Sequence, residues 1–81
     1  MNGYDGQDWQ LNLAERIDQL FAGDVRAETS LGIAARLSAA EDDVLCALVW
    51  LVMQGRLRLL EEGALLVFLT PAYSRELELA A

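Results

Sequence analysis

Apolar residues recur at helical spacing near the start of the chain. Between residues 9 and 22 they fall on one face of an α-helix, with polar residues on the other faces. That apolar face carries Trp9, Leu13, Ile17, Leu20 and Phe21. Gly23 is suited to end this first helix. Residues 1–8 are polar, contain glycine and lack any periodicity, so we predict a flexible N-terminal tail before the helix.

The middle of the chain predicts two helices joined by a tight turn. Thr29 and Ser30 are suitable N-cap residues for a helix that ends near Leu37. Residues 38–41 match the capping box S-x-x-E, in which Ser caps the next helix and Glu reaches back to it. Gly55 is suited to the position just after the end of this third helix.

Three segments have the character of β-strands. Residues 25–28 are long enough only for a small strand. Residues 56–61 begin with strict polar–apolar alternation, and residues 64–69 are a β-compatible apolar run. Residues 62–63 lie between these last two segments as a short turn, so the pair predicts a β-hairpin.

The end of the chain carries a helix start signal. Thr70 is followed by Pro71, and proline is favoured at the first helical position. We therefore predict a short C-terminal helix or tail over residues 71–81, after one folded domain over residues 9–70. A chain of 81 residues and 8.9 kDa accommodates a single domain.

The order helix, small strand, helix, tight turn, helix, hairpin resembles that of the winged helix-turn-helix superfamily. Residues 33–37 (IAARL) match the I-A-x-x-L helix of such domains. Residues 47–51 (ALVWL), followed by Gly-Arg at residues 55–56, are similar to the A-L-G-W-L motif of small bacterial winged-helix domains of unknown function, although Val49 replaces the motif's glycine. The resemblance covers residues 30–70 and implies an α+β fold, with a three-helix core and a β-hairpin wing. Such domains serve both DNA and protein partners.

Composition argues against several classes of function. The chain has no histidine, and Cys46 is its one cysteine, so an intrachain disulfide, a CxxC motif and the usual general base are all missing. A hydrophobic content of 54% argues against disorder, while the longest apolar run, residues 44–53, is too short to span a bilayer. Because these residue types are missing, we expect a non-enzymatic protein with no catalytic, metal or cofactor site. Because no export signal is visible, we expect it to be cytoplasmic.

The charge balance argues against nucleic acid as a partner. The chain contains six basic residues, all of them arginine, and 13 acidic residues, which gives a net charge of −7. The third helix begins with three carboxylates at residues 41–43 and the wing tip carries two more at residues 61–62, which would repel a phosphate backbone. A DNA-binding transcriptional regulator is the alternative function. Its candidate DNA-binding residues are Arg26, Arg36, Arg56 and Arg58. The last two can also pair with the wing glutamates or with an acidic group of a partner.

The third helix is apolar on both sides. At about 100° per residue its core side consists of Val44, Ala47, Leu48 and Leu51. The opposite side consists of Cys46, Val49, Trp50 and Met53, where readers of the major groove carry polar side chains. Contiguous outward apolar residues indicate either a protein interface or a surface that the chain's own tails cover.

We favour the interface. The predicted function is a winged-helix protein-interaction module that forms a homodimer through this helix face. Leu66 and Phe68, on one face of the hairpin, are expected to extend the contact.

Overall fold

The computed structural model describes the backbone of residues 5–80 and the side chains of residues 12–80. Its helices are α1 (Asp5–Ala22), α2 (Ser30–Leu37), α3 (Glu41–Met53) and α4 (Pro71–Ala80), and its strands are β1 (Ala27–Thr29), β2 (Arg58–Glu62) and β3 (Leu65–Leu69). The strands form an antiparallel three-stranded sheet in the order β1-β3-β2. The predicted α+β class is confirmed.

The ends of two helices refine the boundaries that the pattern predicts. Helix α1 ends at Ala22 as expected, but it begins at Asp5 rather than near Trp9, so it includes part of the predicted tail. Residues 1–4 of that tail and the side chain of Trp9 lie outside the described residues. Helix α4 occupies the C-terminal segment, which is therefore helical from Pro71 to Ala80.

The core lies where α1, α2, α3 and the inner face of the sheet meet. Helix α1 contributes its predicted apolar face, and α3 contributes all the residues assigned to its core side. The buried cluster consists of Leu13, Ala14, Ile17, Phe21, Ile33, Ala34, Val44, Ala47, Leu48, Leu51, Leu57 and Phe68. This arrangement buries one face of each amphipathic helix, which is the main source of stability in a domain of this size.

The turn between α2 and α3 does not contain the predicted capping box. Ser38 has φ 52° and ends α2 in the left-handed conformation, so its side chain is not available to cap α3. The N-cap of α3 is instead Ala40, which makes no side-chain capping bond. Glu41 accepts a hydrogen bond from the Ser30 hydroxyl at 3.0 Å, which joins the starts of α2 and α3. The other cap, Thr29, is confirmed: its Oγ1 accepts from the Gly32 N–H at 3.1 Å.

The end of α3 depends on Gly55, as predicted. Gly55 has φ 77°, and its N–H donates to the Val52 carbonyl at 3.0 Å. The Arg56 N–H donates to the Leu51 carbonyl at the same distance. These paired bonds form a Schellman motif, which satisfies carbonyls that the helix leaves free. The chain then turns, and Leu57 enters the core.

The inner face of the hairpin is the one that carries Phe68. Phe68 is only 1% exposed and belongs to the core cluster, so its prediction as an outward interface residue is wrong. Leu66 has the same orientation along β3 but is not part of the core cluster, and it is 36% exposed. Both hairpin faces are apolar, so alternation alone cannot distinguish the face that meets the helices.

Helix α4 covers part of the other sheet face. Leu69 is 2% exposed although it is not in the main core, and it lines a cleft with Leu77 of α4. Arg26, just before β1, forms an ion pair with Glu76 and lies 4.6 Å from the centre of the Tyr73 ring. The chain's own C-terminal helix thus contacts this face near Leu69 and leaves Leu60 and Leu65 exposed.

We expect Phe68→Ala to lower the free energy of unfolding by about 3–5 kcal/mol, because it removes a large side chain from the core. Leu66→Ala, on the same strand and partly exposed, is the matched control and should cost much less. Urea denaturation followed by circular dichroism measures both. Equal losses for the two variants would contradict the assignment of the inner face.

Candidate protein-interaction surface

The side of α3 opposite the core is an exposed apolar surface. It consists of Cys46, Val49, Trp50 and Met53, and we call it the outer α3 face. Val49 is 51% exposed, Trp50 41% and Met53 77%, and Cys46 is an exposed free thiol. The sequence therefore predicted correctly which apolar residues of α3 are buried and which are exposed.

Charged residues of α1 border the outer α3 face. Trp50 lines a shallow cleft with Ala14, Glu15, Asp18 and Arg56. Arg56 donates to Asp18, and this ion pair ties the end of α3 to α1 beside the tryptophan ring. An apolar centre next to a polar margin is the usual anatomy of a protein interface.

The C-terminal segment does not cover this surface. Helix α4 lies instead on the sheet, where Leu77 and Leu69 share a cleft. Val49, Trp50 and Met53 are exposed to the fractions given above although α4 is present in the structure. The C-terminal segment, one of the two tails that could have covered the outer α3 face, therefore leaves this face open.

A second apolar area on the hairpin and α4 was not predicted from the sequence. Leu60 and Leu65 project to the same side of the sheet and are exposed, and Leu77 of α4 is exposed beside Leu60. The register of the hairpin is what places them together, because each residue of β2 stands opposite a defined residue of β3. The predicted turn at residues 62–63 would pair Leu60 with Leu65, whereas the observed turn at residues 63–64 pairs Leu60 with Val67. Both turns place Leu60 and Leu65 on one side of the sheet, so the feature that the sequence did not indicate is the position of Leu77 beside Leu60.

Most of the candidate DNA-binding arginines have carboxylate partners within the chain. Arg26 pairs with Glu76, and the Arg36 Nε donates to Glu28 at 3.1 Å. Arg26 and Arg36 line one shallow cleft, so the structure does bring these two together. Each is nevertheless locally neutralised by its own partner.

The remaining two arginines do not pair as predicted. Arg56 pairs with Asp18 of α1 rather than with a glutamate of the hairpin. Arg58 opens β2, opposite Leu69, and among the described residues it forms no ion pair. Arg56 precedes β2, so the two side chains do not belong to one strand as the alternation suggested.

The described part of the chain contains no group of three or more His, Cys, Asp or Glu side chains placed to hold a metal ion. Within the same residues, no helix has the length and apolar character needed to cross a bilayer. The carboxylates at the start of α3 face solvent in part and Glu41 is held by Ser30, an arrangement that complements the helix dipole.

Comparisons of the chain with protein-family models, with curated proteins and with solved structures found no match. The outer α3 face is accordingly interpreted from its own geometry and chemistry.

We expect no binding to a fluorescently labelled random DNA duplex at low salt. Three candidate arginines are ion-paired, and carboxylates occupy both the start of α3 and the end of β2. Fluorescence anisotropy in about 20 mM salt measures this, because low salt favours any charge-driven contact. Micromolar affinity that weakens as salt rises would contradict the prediction.

Proposed function

We propose that the chain is a winged helix-turn-helix domain that acts as a non-enzymatic protein-interaction module. Its main contact is the outer α3 face, and its first partner is a second copy of the chain. The observation that carries this proposal is the exposure of Val49, Trp50 and Met53 on one side of α3.

The arrangement of the elements supports the winged-helix assignment. Helices α2 and α3 are joined through residues 38–40, and the β2–β3 hairpin follows α3 directly. Strand β1 joins the hairpin by pairing with β3, as Ala27 stands opposite Leu69. In this layout α3 takes the position of the recognition helix, and its outer face is the surface that such domains present to a partner.

The chemistry of the outer α3 face favours protein over DNA. A base edge is read by Arg, Lys, Asn, Gln or similar donors and acceptors, and none of the four residues of this face is of that kind. Tryptophan, in contrast, is enriched among the residues that dominate protein–protein binding. Fully burying a large apolar side chain contributes about 1.5–3 kcal/mol, so Val49 and Met53 offer substantial free energy to a partner.

A second copy is the partner whose chemistry this face fits. The chain carries a net charge of −7, so two copies repel each other over long range, and an uncharged surface adds no further repulsion to their contact. The outer α3 face is uncharged. Two such faces related by a two-fold axis bury the same apolar residues on both sides, which is the commonest form of homodimer contact.

We expect Val49→Arg and Trp50→Glu to remove the self-association that the outer α3 face provides, with the chain still folded, because each places a charge in the centre of the contact. Sedimentation equilibrium at about 10–100 μM measures the mass, and circular dichroism checks the fold.

Leu31→Glu is the matched control, since Leu31 is an exposed apolar residue on α2, away from the outer α3 face. It should leave the mass of the dimer unchanged. A wild-type chain that sediments as an 8.9 kDa monomer at these concentrations would overturn self-association.

A further inference from the structure

Strand β2 is an open edge of the sheet. The strand order β1-β3-β2 leaves one side of β2 without a neighbouring strand, and all five of its residues are exposed. Proteins commonly protect such an edge with proline, a bulge or a covering element, because its backbone groups can pair with another chain. Residues 58–62 contain no proline.

We propose that β2 pairs antiparallel with β2 of a second copy, so that two sheets join into one of six strands. Leu60 lies on the two-fold axis of this contact. The contact is distinct from the outer α3 face and does not depend on it.

The backbone of β2 has the orientation that such pairing requires. The Thr70 N–H donates to the Arg26 carbonyl at 3.1 Å, on the β1 side of β3. The backbone N–H and C=O groups of successive residues point to opposite sides of a strand. Since those of Thr70 point toward β1, the N–H and C=O groups of Leu69, Val67 and Leu65 point toward β2. Their partners on β2 are Arg58, Leu60 and Glu62. The N–H and C=O groups of the intervening residues, 59 and 61, therefore point away from the sheet and are free to pair.

The outward backbone groups limit the possible registers. Residue 59 or 61 of one copy must stand opposite residue 59 or 61 of the other. When 59 stands opposite 61, Arg58 of each copy stands opposite Glu62 of the other copy, and Leu60 stands opposite its own equivalent. The sequence of β2, RLLEE, thus places opposite charges at its two ends, which meet when two copies of the strand pair antiparallel.

The other two registers are less favourable. If 61 stands opposite 61, two Glu61 carboxylates face each other across the strands and repel. If 59 stands opposite 59, Arg58 faces the uncharged Leu60, and Glu62 stands opposite Arg56, which precedes β2 and already pairs with Asp18. Only the register centred on Leu60 forms two ion pairs, and both of their residues are exposed and without an ion pair in the described part of the chain.

Apolar surface on one side of the sheet extends the contact. Leu60, Leu65 and Leu77 are exposed on the side that α4 partly covers. Pairing at β2 brings this row beside the same row of the second copy. The second copy therefore completes both the open edge and the apolar area next to it.

Charge reversal tests the proposed register directly. Arg58→Glu gives Glu at both ends of β2, and Glu62→Arg gives Arg at both ends, so each variant should repel its own copies. An equal mixture of the two restores both ion pairs. We make both in a Trp50→Glu background, which removes the contribution of the outer α3 face. Native mass spectrometry and sedimentation equilibrium should show association of the mixture about tenfold tighter than of either variant alone.

Two variants with the same charge changes away from β2 provide the control. Arg75→Glu and Asp24→Arg, mixed in the same background, change the net charges equally but should not gain comparable association, since neither residue lies on the strand. Equal tightening in the control mixture, or none in the test mixture, would overturn the pairing of β2. It would leave the outer α3 face untouched, because that contact is already disabled.

Hydrogen exchange supplies a second measurement on the Trp50→Glu chain with an unaltered β2. The amides of Leu59 and Glu61 should exchange more slowly as the protein concentration rises, because pairing protects the outward N–H groups. The amide of Leu60, already directed toward β3, is the internal reference. Exchange at residues 59 and 61 that does not depend on concentration would contradict the proposal.

Discussion

The packing of α3 against α1 is the interaction on which the rest of the structure depends. Val44, Leu48 and Leu51 are almost completely buried there, opposite the apolar face of α1. A chain this short has only one core, so α3 can bury one side and no more. The apolar residues on its other side must then face outward, since α4 lies on the sheet. The exposed surface is therefore a direct consequence of placing an apolar helix at the edge of a small domain.

Ion pairs connect segments that are distant in the sequence. Arg56 joins the end of α3 to α1, Arg26 joins the start of β1 to α4, and Arg36 joins α2 to β1. Exposed pairs of this kind each contribute about 0–1 kcal/mol, so their main effect is on position rather than stability. These pairs also neutralise arginine charges that would otherwise be available to the phosphates of a nucleic acid. The same arginines therefore orient the elements and leave the surface with little positive charge to offer.

The core side of α3 was predictable from the sequence, and the core side of the hairpin was not. The buried residues of α3 follow from helical periodicity because its core side matches the apolar face of α1. Phe68 was assigned to the wrong side because both faces of the hairpin are apolar, and only the packing of one face against α1, α2 and α3 distinguishes them. Ser38 matched a capping box, yet the preceding helix uses it first as its C-cap. The open edge of β2 required the strand order, which no local pattern contains.

An acidic chain attracts basic partners over long range, but it repels its own copies. Its specificity must come from short-range complementarity, which the two proposed contacts supply in different ways. The outer α3 face offers apolar area, which is strong but selects poorly among apolar surfaces. The β2 edge offers little area but a defined register, because its ion pairs form in only one alignment. Each contact is two-fold symmetric, so their combination links copies through two different axes, and the angle between those axes determines whether the assembly closes or continues.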